Sequence, residues 1–426
     1  MGRGDPGIEE VQMRRSWKPG CLLFAASLFL AGCAASRPTG TGNPELPYPP
    51  KEAPKAEQIY HLPTGLRMSL DGMADMLSGA RLVSVGETHD NLHDQRVELA
   101  VVRELYRRLP GKVAIGMEMF REPQQEILDR WVRGEFTELE FLKASKWYDT
   151  WGYDFGAYRD LLLFAKKNGI DIVALNPPKD LQQAVSRSGL DNVPEALRGK
   201  LPGIDEADPW QRNVLRGIFG GHAGHGGGDS AFESFYRVQM LWEETMAQRV
   251  TDYLKGPRGE GKVMVTVTGG WHVRYGFGLP KKVLRRMPIA YAIVLPEEIS
   301  TEEQKEGRLM EADVPEVPLL PADFVWYVPF ESLEEKKIRI GIRMGEKDGA
   351  LLVESVAPGS PAEKAGILAG DELVSFDGKP VKESVDVVYL IGEKRDGDTA
   401  AVTVRRGGGE KTVEVTFFRM PKKKPH

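Results

Sequence analysis

The stretch "RLVSVGETHDNLHDQRVELAVV", residues 81–102, decides the fold. A β-branched run stops at Gly86, the polar residues Glu87, His89 and His93 follow, and apolar residues then recur at helical spacing. An apolar strand feeding directly into an amphipathic helix is the building unit of a parallel sheet. The unit repeats along the chain. Strand-like runs occur at "RLVSV" (81–85), "VAIGM" (113–117), "DIVAL" (171–175), "VMVTVT" (263–268) and "AYAIV" (290–294), with amphipathic stretches at 94–108, 122–133, 157–168 and 234–255. Right-handed crossovers between such strands predict an α/β fold, its mainly parallel sheet covered by helices on both faces. Over 331–420 the style changes to short strands, Gly-rich turns and one helix, which predicts a second, small C-terminal β domain.

Ligands of parallel sheets bind outside the carboxyl ends of the strands. "GETH" follows the first run, Glu118 the second, Asn176 the third and "GGWH" the fourth. The topology therefore gathers Glu87, His89, Glu118, Asn176 and His272 on one rim. Glu118 sits in the apolar setting "IGMEMF". A carboxylate buried there needs a partner, and an imidazole across the rim would keep it ionised. His89 and His93 are four apart and share a helical face, a spacing that suits metal or haem contact; for His93, a cap or a solvent-facing role fits equally well. Gly269 and Gly270 would let backbone approach a ligand, or simply make a tight turn. His222 and His225 lie in a glycine-rich loop of the kind that is more often a surface insertion. The aromatics of "KWYDTWGYDFGAY" (146–158) are either core or a wall for a planar ligand.

A length of 426 residues predicts two domains with connecting segments. A net charge of −5 argues against nucleic-acid binding, although the tail 421–426 is basic. Residues 1–33 read as a secretion signal. Arg14, Arg15 and Lys18 precede an apolar run too short to span a bilayer, and Met13 starts the pattern more naturally than Met1. Leu30-Ala31-Gly32-Cys33 resembles a bacterial lipobox, which implies lipidation of Cys33 and, with Ala34 next, an outer-membrane address facing the periplasm. Cys21 and Cys33 are the only cysteines. With one removed and the other lipidated, the body has no thiol for a disulfide, a cysteine nucleophile or an iron–sulfur cluster. Residues 34–57, rich in proline, read as a tether; 58–295 as the α/β domain; 296–330 as a linker; and 331–420 as the C-terminal domain.

"VGETHDNLHDQ", "GMEMF", "WYDTWGYDFGAYRDLLLFAKKNGIDIVALNPP" and "GGWHVRYGFGLP" together resemble the ChaN-like haem-binding lipoproteins, within the superfamily that includes the Tiki peptidases and erythromycin esterases. The resemblance implies envelope attachment and a role in haem or iron acquisition. It puts the superfamily's polar cluster on Glu87, His89, Glu118 and His272, the residues selected by the strand-end reading. Asp94 stands where relatives often carry a second histidine. Relatives ligate haem through tyrosine, with histidine near the propionates and haem sharing across a homodimer; Tyr158 and Tyr275 lie in matching stretches. The C-terminal region, "IRIGIRM" followed by "LLVESVAPGSPAEKAGILAGDELVSFDGKPV", resembles a PDZ domain of envelope proteases. That implies capture of a partner's C-terminal or extended peptide as an added strand at Ile338, Arg339, Ile340, Gly341 and Ile342.

Three functions are open to such a chain. The first is a haem- or iron-handling lipoprotein, using His89, His93, Tyr158, His272, Arg274 and Tyr275 toward the cofactor. The second is a hydrolase in which Glu87, His89, Glu118 and His272 activate water, directly or as ligands of a divalent metal. The third is an adaptor that acts only through its PDZ module.

Overall fold

The computed structural model describes residues 53–205, 207–221, 228–299, 317, 319–333 and 337–420. The leader with Cys33, nearly all of the tether, His222, His225, most of 300–318 and the basic tail lie outside the described residues.

The strands of the larger domain are β1 (Ile59–His61), β2 (Leu66–Met68), β3 (Leu82–Glu87), β4 (Val113–Arg121), β5 (Asp171–Asn176), β6 (Val263–Gly269), β7 (Tyr291–Glu298) and β8 (Phe324–Val328). Its helices are α1 (Leu70–Leu77), α2 (Leu92–Arg108), α3 (Gln125–Val132), α4 (Glu138–Ser145), α5 (Trp147–Thr150), α6 (Phe155–Asn168), α7 (Lys179–Ser188), α8 (Glu195–Arg198), α9 (Pro209–Gly221), α10 (Asp229–Lys255) and α11 (Leu279–Arg286). The strands form one sheet in the order β2-β1-β8-β7-β3-β6-β4-β5. Every pairing from β8 through β5 is parallel, and only the β1–β2 hairpin and its seam with β8 are antiparallel.

β3 is buried at every residue because the pleat sends alternate side chains into two cores. Val83, Val85, Ile115, Met117, Val265 and Val267 pack under α1, α2, α3 and α6, whereas Leu82, Ala114, Val173, Met264, Ile293 and Leu295 pack under α10 and α11. Covering both faces explains the continuous apolar runs in the sequence. Gly86 is a packing requirement as much as a stop signal, since a Cβ there would lie 2.7 Å from Leu295 and Val273 side-chain carbons.

The eighth strand corrects the expected linker. β8 falls inside 296–330, yet it joins β7 in parallel and β1 in antiparallel register. The flanking prolines and acidic run conceal a strand whose Phe324, Val325 and Val328 are fully buried.

The smaller domain has β9 (Ile342–Lys347), β10 (Ala350–Val356), α12 (Pro361–Lys364), β11 (Glu372–Phe376), β12 (Lys379–Pro380), α13 (Ser384–Gly392), β13 (Thr399–Arg406) and β14 (Gly409–Thr416). Its antiparallel sheet runs β14-β13-β11-β10-β9, with β12 on β11, around a separate core of Leu351, Val353, Leu373, Phe376, Val402 and Phe417. Among the described residues, no helix is long and apolar enough to cross a membrane.

Candidate functional site

The carboxyl ends of β3, β4 and β6 bring two carboxylate–imidazole pairs together. Glu87 ends β3 and is buried. Its carboxylate accepts from Nδ1 of His89 at 2.7 Å, from the Tyr158 hydroxyl at 2.8 Å and from the Gln95 side-chain amide. With Nδ1–H fixed on Glu87, Nε2 of His89 faces the backbone of Gly269, where a Cβ would lie 3.2 Å away. A carboxylate that orients an imidazole in this way sets its tautomer. The His89 ring packs edge-on to Trp151, with centroids 4.9 Å apart, and tilted against Tyr153 at 5.2 Å. Burial alone would lower the His89 pKa, but Glu87 and Glu118 outweigh it, and the imidazole holds its proton above the usual histidine range.

Glu118 lies where the β4–β5 register slips between Met117 and Arg121. Its carboxylate accepts the Gly269 N–H at 2.7 Å and lies 3.5 Å from Nε2 of His272. Burial would raise its pKa, yet His272, His89 and the Gly269 N–H hold it at about 2. The far side of His272 meets a second acid, Glu243 of α10, 3.4 Å from Nδ1. Lys282 of α11 donates to Glu243 at 2.9 Å and to Gln211 at 2.7 Å. Against burial, Lys282 and His272 keep Glu243 near 2. The two acids in turn outweigh burial at His272 and raise its pKa to about 10. Gln239 Nε2 also lies 2.9 Å from His272 Nδ1, a contact that suits the neutral ring. Protonation at Nδ1 requires the Gln239 amide to turn its oxygen inward, and the field of two buried carboxylates favours that state.

Glu87, His89, Glu118 and His272 thus meet on one rim, whereas Tyr158 stands behind it, fully buried under Glu87. His93 turns away to Glu331, 3.2 Å from its Nε2. Arg274 pairs with Glu297 and lies over the Trp271 ring. Tyr275 is half-buried, held at φ 61° with its N–H on the Pro321 carbonyl. Among the described residues, no three His, Cys, Asp or Glu are placed to hold a metal ion. In the smaller domain Ile338 and Ile340 face the core, and Arg339 is exposed. Gly341 has φ +81° and lies against Ser360, and Ile342 is half-buried on β9, the outermost strand of its sheet.

Sequence reasoning missed Glu243, Gln239, Lys282, Gln95 and Glu98. The available signal was polar residues on apolar helical stripes. Gln239 and Glu243 are four apart beside Met240, Ala247 and Val250, and Gln95 and Glu98 share the buried face of α2 with Val102 and Leu105.

A parallel α/β domain with buried acid–imidazole pairs at its strand ends, followed by a small β domain with an open edge strand, defines a two-module ligand-binding architecture. Residues 73–283 belong to the family described as "Haem-binding uptake, Tiki superfamily, ChaN", and residues 339–417 form a PDZ domain. A probable periplasmic serine endoprotease, DegP-like, from Rhizobium meliloti is 41% identical over 86 residues, 20% of this chain and 17% of that protein. Protein RETICULATA-RELATED 5, chloroplastic, from Arabidopsis thaliana is 26% identical over 282 residues, 59% of this chain and 35% of that protein. The chain therefore spans only a minor part of either relative. A structure of ChaN of Campylobacter jejuni with cofacial haem covers 63% of this chain and 95% of its own, at 14% identity and a TM-score of 0.49.

Proposed function

We propose that this chain is an envelope lipoprotein, anchored through Cys33 to the outer membrane and facing the periplasm, that binds haem for uptake or handling, while its PDZ domain recruits a C-terminal or extended peptide of an envelope partner. The observation that carries the haem reading is His89. Its tautomer is set by Glu87, its ring is flanked by the half-buried Trp151 and Tyr153, and Nε2 faces a glycine rather than a side chain.

The donor set fits a planar, anionic macrocycle. Trp151 and Tyr153 offer aromatic faces, and the protonated His89 offers an N–H to a propionate. Asn176 Oδ1 and Thr268 Oγ1, at the ends of β5 and β6, are buried with no hydrogen-bond partner among the described residues. When bound, haem supplies the iron and its ligand chemistry. Tyr153, tilted against the His89 ring, is the tyrosine placed to meet it, and a second copy of the chain would share it. The raised His89 pKa keeps that ring protonated and so makes it a poor base toward water, and the hydrolytic reading ranks second.

Hemin titration of residues 34–426 tests the proposal. A saturable Soret shift is expected, with affinity falling at least about tenfold, or 1.4 kcal/mol, in His89→Ala. Absence of saturable binding, or an unchanged affinity in that variant, would sink it.

A further inference from the structure

The PDZ domain is fastened to the elements that build the His89 wall. The wall residues Trp151 and Tyr153 lie between Lys143 of α4 and Asp154, the N-cap of α6. Both bracketing residues reach PDZ-side partners. Lys143 Nζ lies 2.6 Å from Asp386 and 3.6 Å from Glu383, at the start of α13. Asp154 Oδ2 lies 2.7 Å from Lys337 Nζ, while its Oδ1 caps α6 through the Gly156 N–H. Val385 and Tyr389 of α13 pack against the core of the larger domain.

A third fastening holds the helix that begins just after His89. Glu331 donates its N–H to Asn91 Oδ1 at 3.0 Å, and its carbonyl accepts the Leu92 N–H at 2.8 Å. Its carboxylate pairs with Arg96, both bonds being 2.9 Å, and with His93. The same segment continues to Leu333, which packs over Gly156 at the start of α6.

α13 also forms one wall of the cleft beside β9. Val387, Leu390 and Ile391 face the PDZ core, Val385 faces the larger domain, and Tyr389 packs against both. Ser384 and Val388, four apart and so on one face, remain for the cleft, where the Ser384 N–H meets Glu346 of β9 at 3.3 Å. A peptide that adds to the β9 edge inserts its side chains against this helix. α13 is in contact with α4, and the loop that carries Trp151 and Tyr153 follows α4.

We propose that peptide occupancy of the β9–α13 cleft and ligand occupancy at His89, Trp151 and Tyr153 are coupled through α13, α4 and the Glu331 segment. The proposal rests on the haem and peptide readings above, and it adds that neither site acts independently. Coupling of this kind is reciprocal, so each ligand must change the other's affinity by one common factor.

The test uses a peptide selected on the immobilised chain, residues 34–426, from a random C-terminal display library. Hydrogen exchange of residues 147–154 and 89–96 is followed as the peptide is added, and hemin affinity is measured with and without it. Altered protection in both segments is expected, together with a shift in hemin affinity of about fivefold or more, matched in peptide affinity. Lys143→Glu combined with Lys337→Glu, which leaves the Glu331 route alone, should reduce the shift at least about twofold while each ligand still binds alone. Unchanged exchange in those segments at saturating peptide overturns the coupling, as does an equal hemin affinity in the two states. The exchange readout needs no haem, so failure of the haem reading alone shows as altered exchange without a Soret change. Failure to select any peptide overturns the peptide reading and the coupling with it.

Discussion

His272 has an acid at each ring nitrogen, and this makes the site a charge-balanced unit rather than a set of free ligands. Two signs follow for stability. The folded-state pKa of Glu118 and of Glu243 is about 2 against an ordinary 4.5, so their contribution is present above pH 4.5 and is lost as pH falls toward 2. His272 is raised from 6.5 to about 10, so its contribution is full below pH 6.5 and is lost as pH rises toward 10. These are two views of shared ion pairs and do not add. The melting temperature should therefore be highest between about pH 4.5 and 6.5 and fall on both sides. His272→Gln should flatten the alkaline decline and cost about 3–5 kcal/mol at pH 7, measured by urea denaturation, because two buried carboxylates lose their shared cation. Gly278→Ala attacks the same unit sterically. A Cβ there would lie 2.2 Å from the His272 carbonyl oxygen and 2.9 Å from Glu243 Oε1. A loss of about 1–3 kcal/mol is expected by the same denaturation assay.

At the scale of elements, the strand ends were legible and the helix contributions were not. Glu87, His89, Glu118 and His272 follow or end apolar runs of fixed period, and a parallel sheet allows such ends only one shared edge. Glu243 and Lys282 come from α10 and α11, and only tertiary packing turns them inward. The aromatic stretch 146–158 divides between core and site. Trp147, Phe155 and Tyr158 are core, whereas Trp151 and Tyr153 face His89. α2 carries the least expected polar residue, Glu98, wholly buried on the helix face that supports Glu87. Burial, followed by the nearby charges of Glu87 and Asp94, raises its pKa well above the carboxylate range. A raised acid is a liability once pH exceeds its unfolded value, since the unfolded chain ionises more readily. Glu98→Gln should accordingly be more stable than the native chain at pH 8 and should lose less stability between pH 5 and about 9, measured by urea denaturation. Equal denaturation midpoints for the two proteins across that range would show that Glu98 is not held neutral.

At the scale of the molecule, β8 decides where the larger domain ends. The sequence reading closed that domain at residue 295, because the following prolines and acidic run resemble a tether and "FVWYV" is too short to outweigh them. Among the described residues, β8 alone bridges β7 and the β1–β2 hairpin. Removing it would expose the edge of β7 and strip Ile59, Tyr60 and Leu62 of neighbours on the far side. An unpaired, apolar edge is an aggregation template. The fragment 53–298 should therefore be insoluble or lack a cooperative thermal transition, whereas 53–333, which keeps β8 and the Glu331 fastening, should melt cooperatively. Calorimetry of the two fragments separates these outcomes. A cooperative transition in 53–298 would mean that β8 and the hairpin are additions to a self-sufficient core, and the boundary read from the sequence would stand. If only 53–333 folds, the connection to the PDZ domain begins inside the larger domain's own sheet. The segment from β8 to Glu331 then belongs to the architecture that positions His89, and it carries the coupling to the peptide cleft without an independent linker between them.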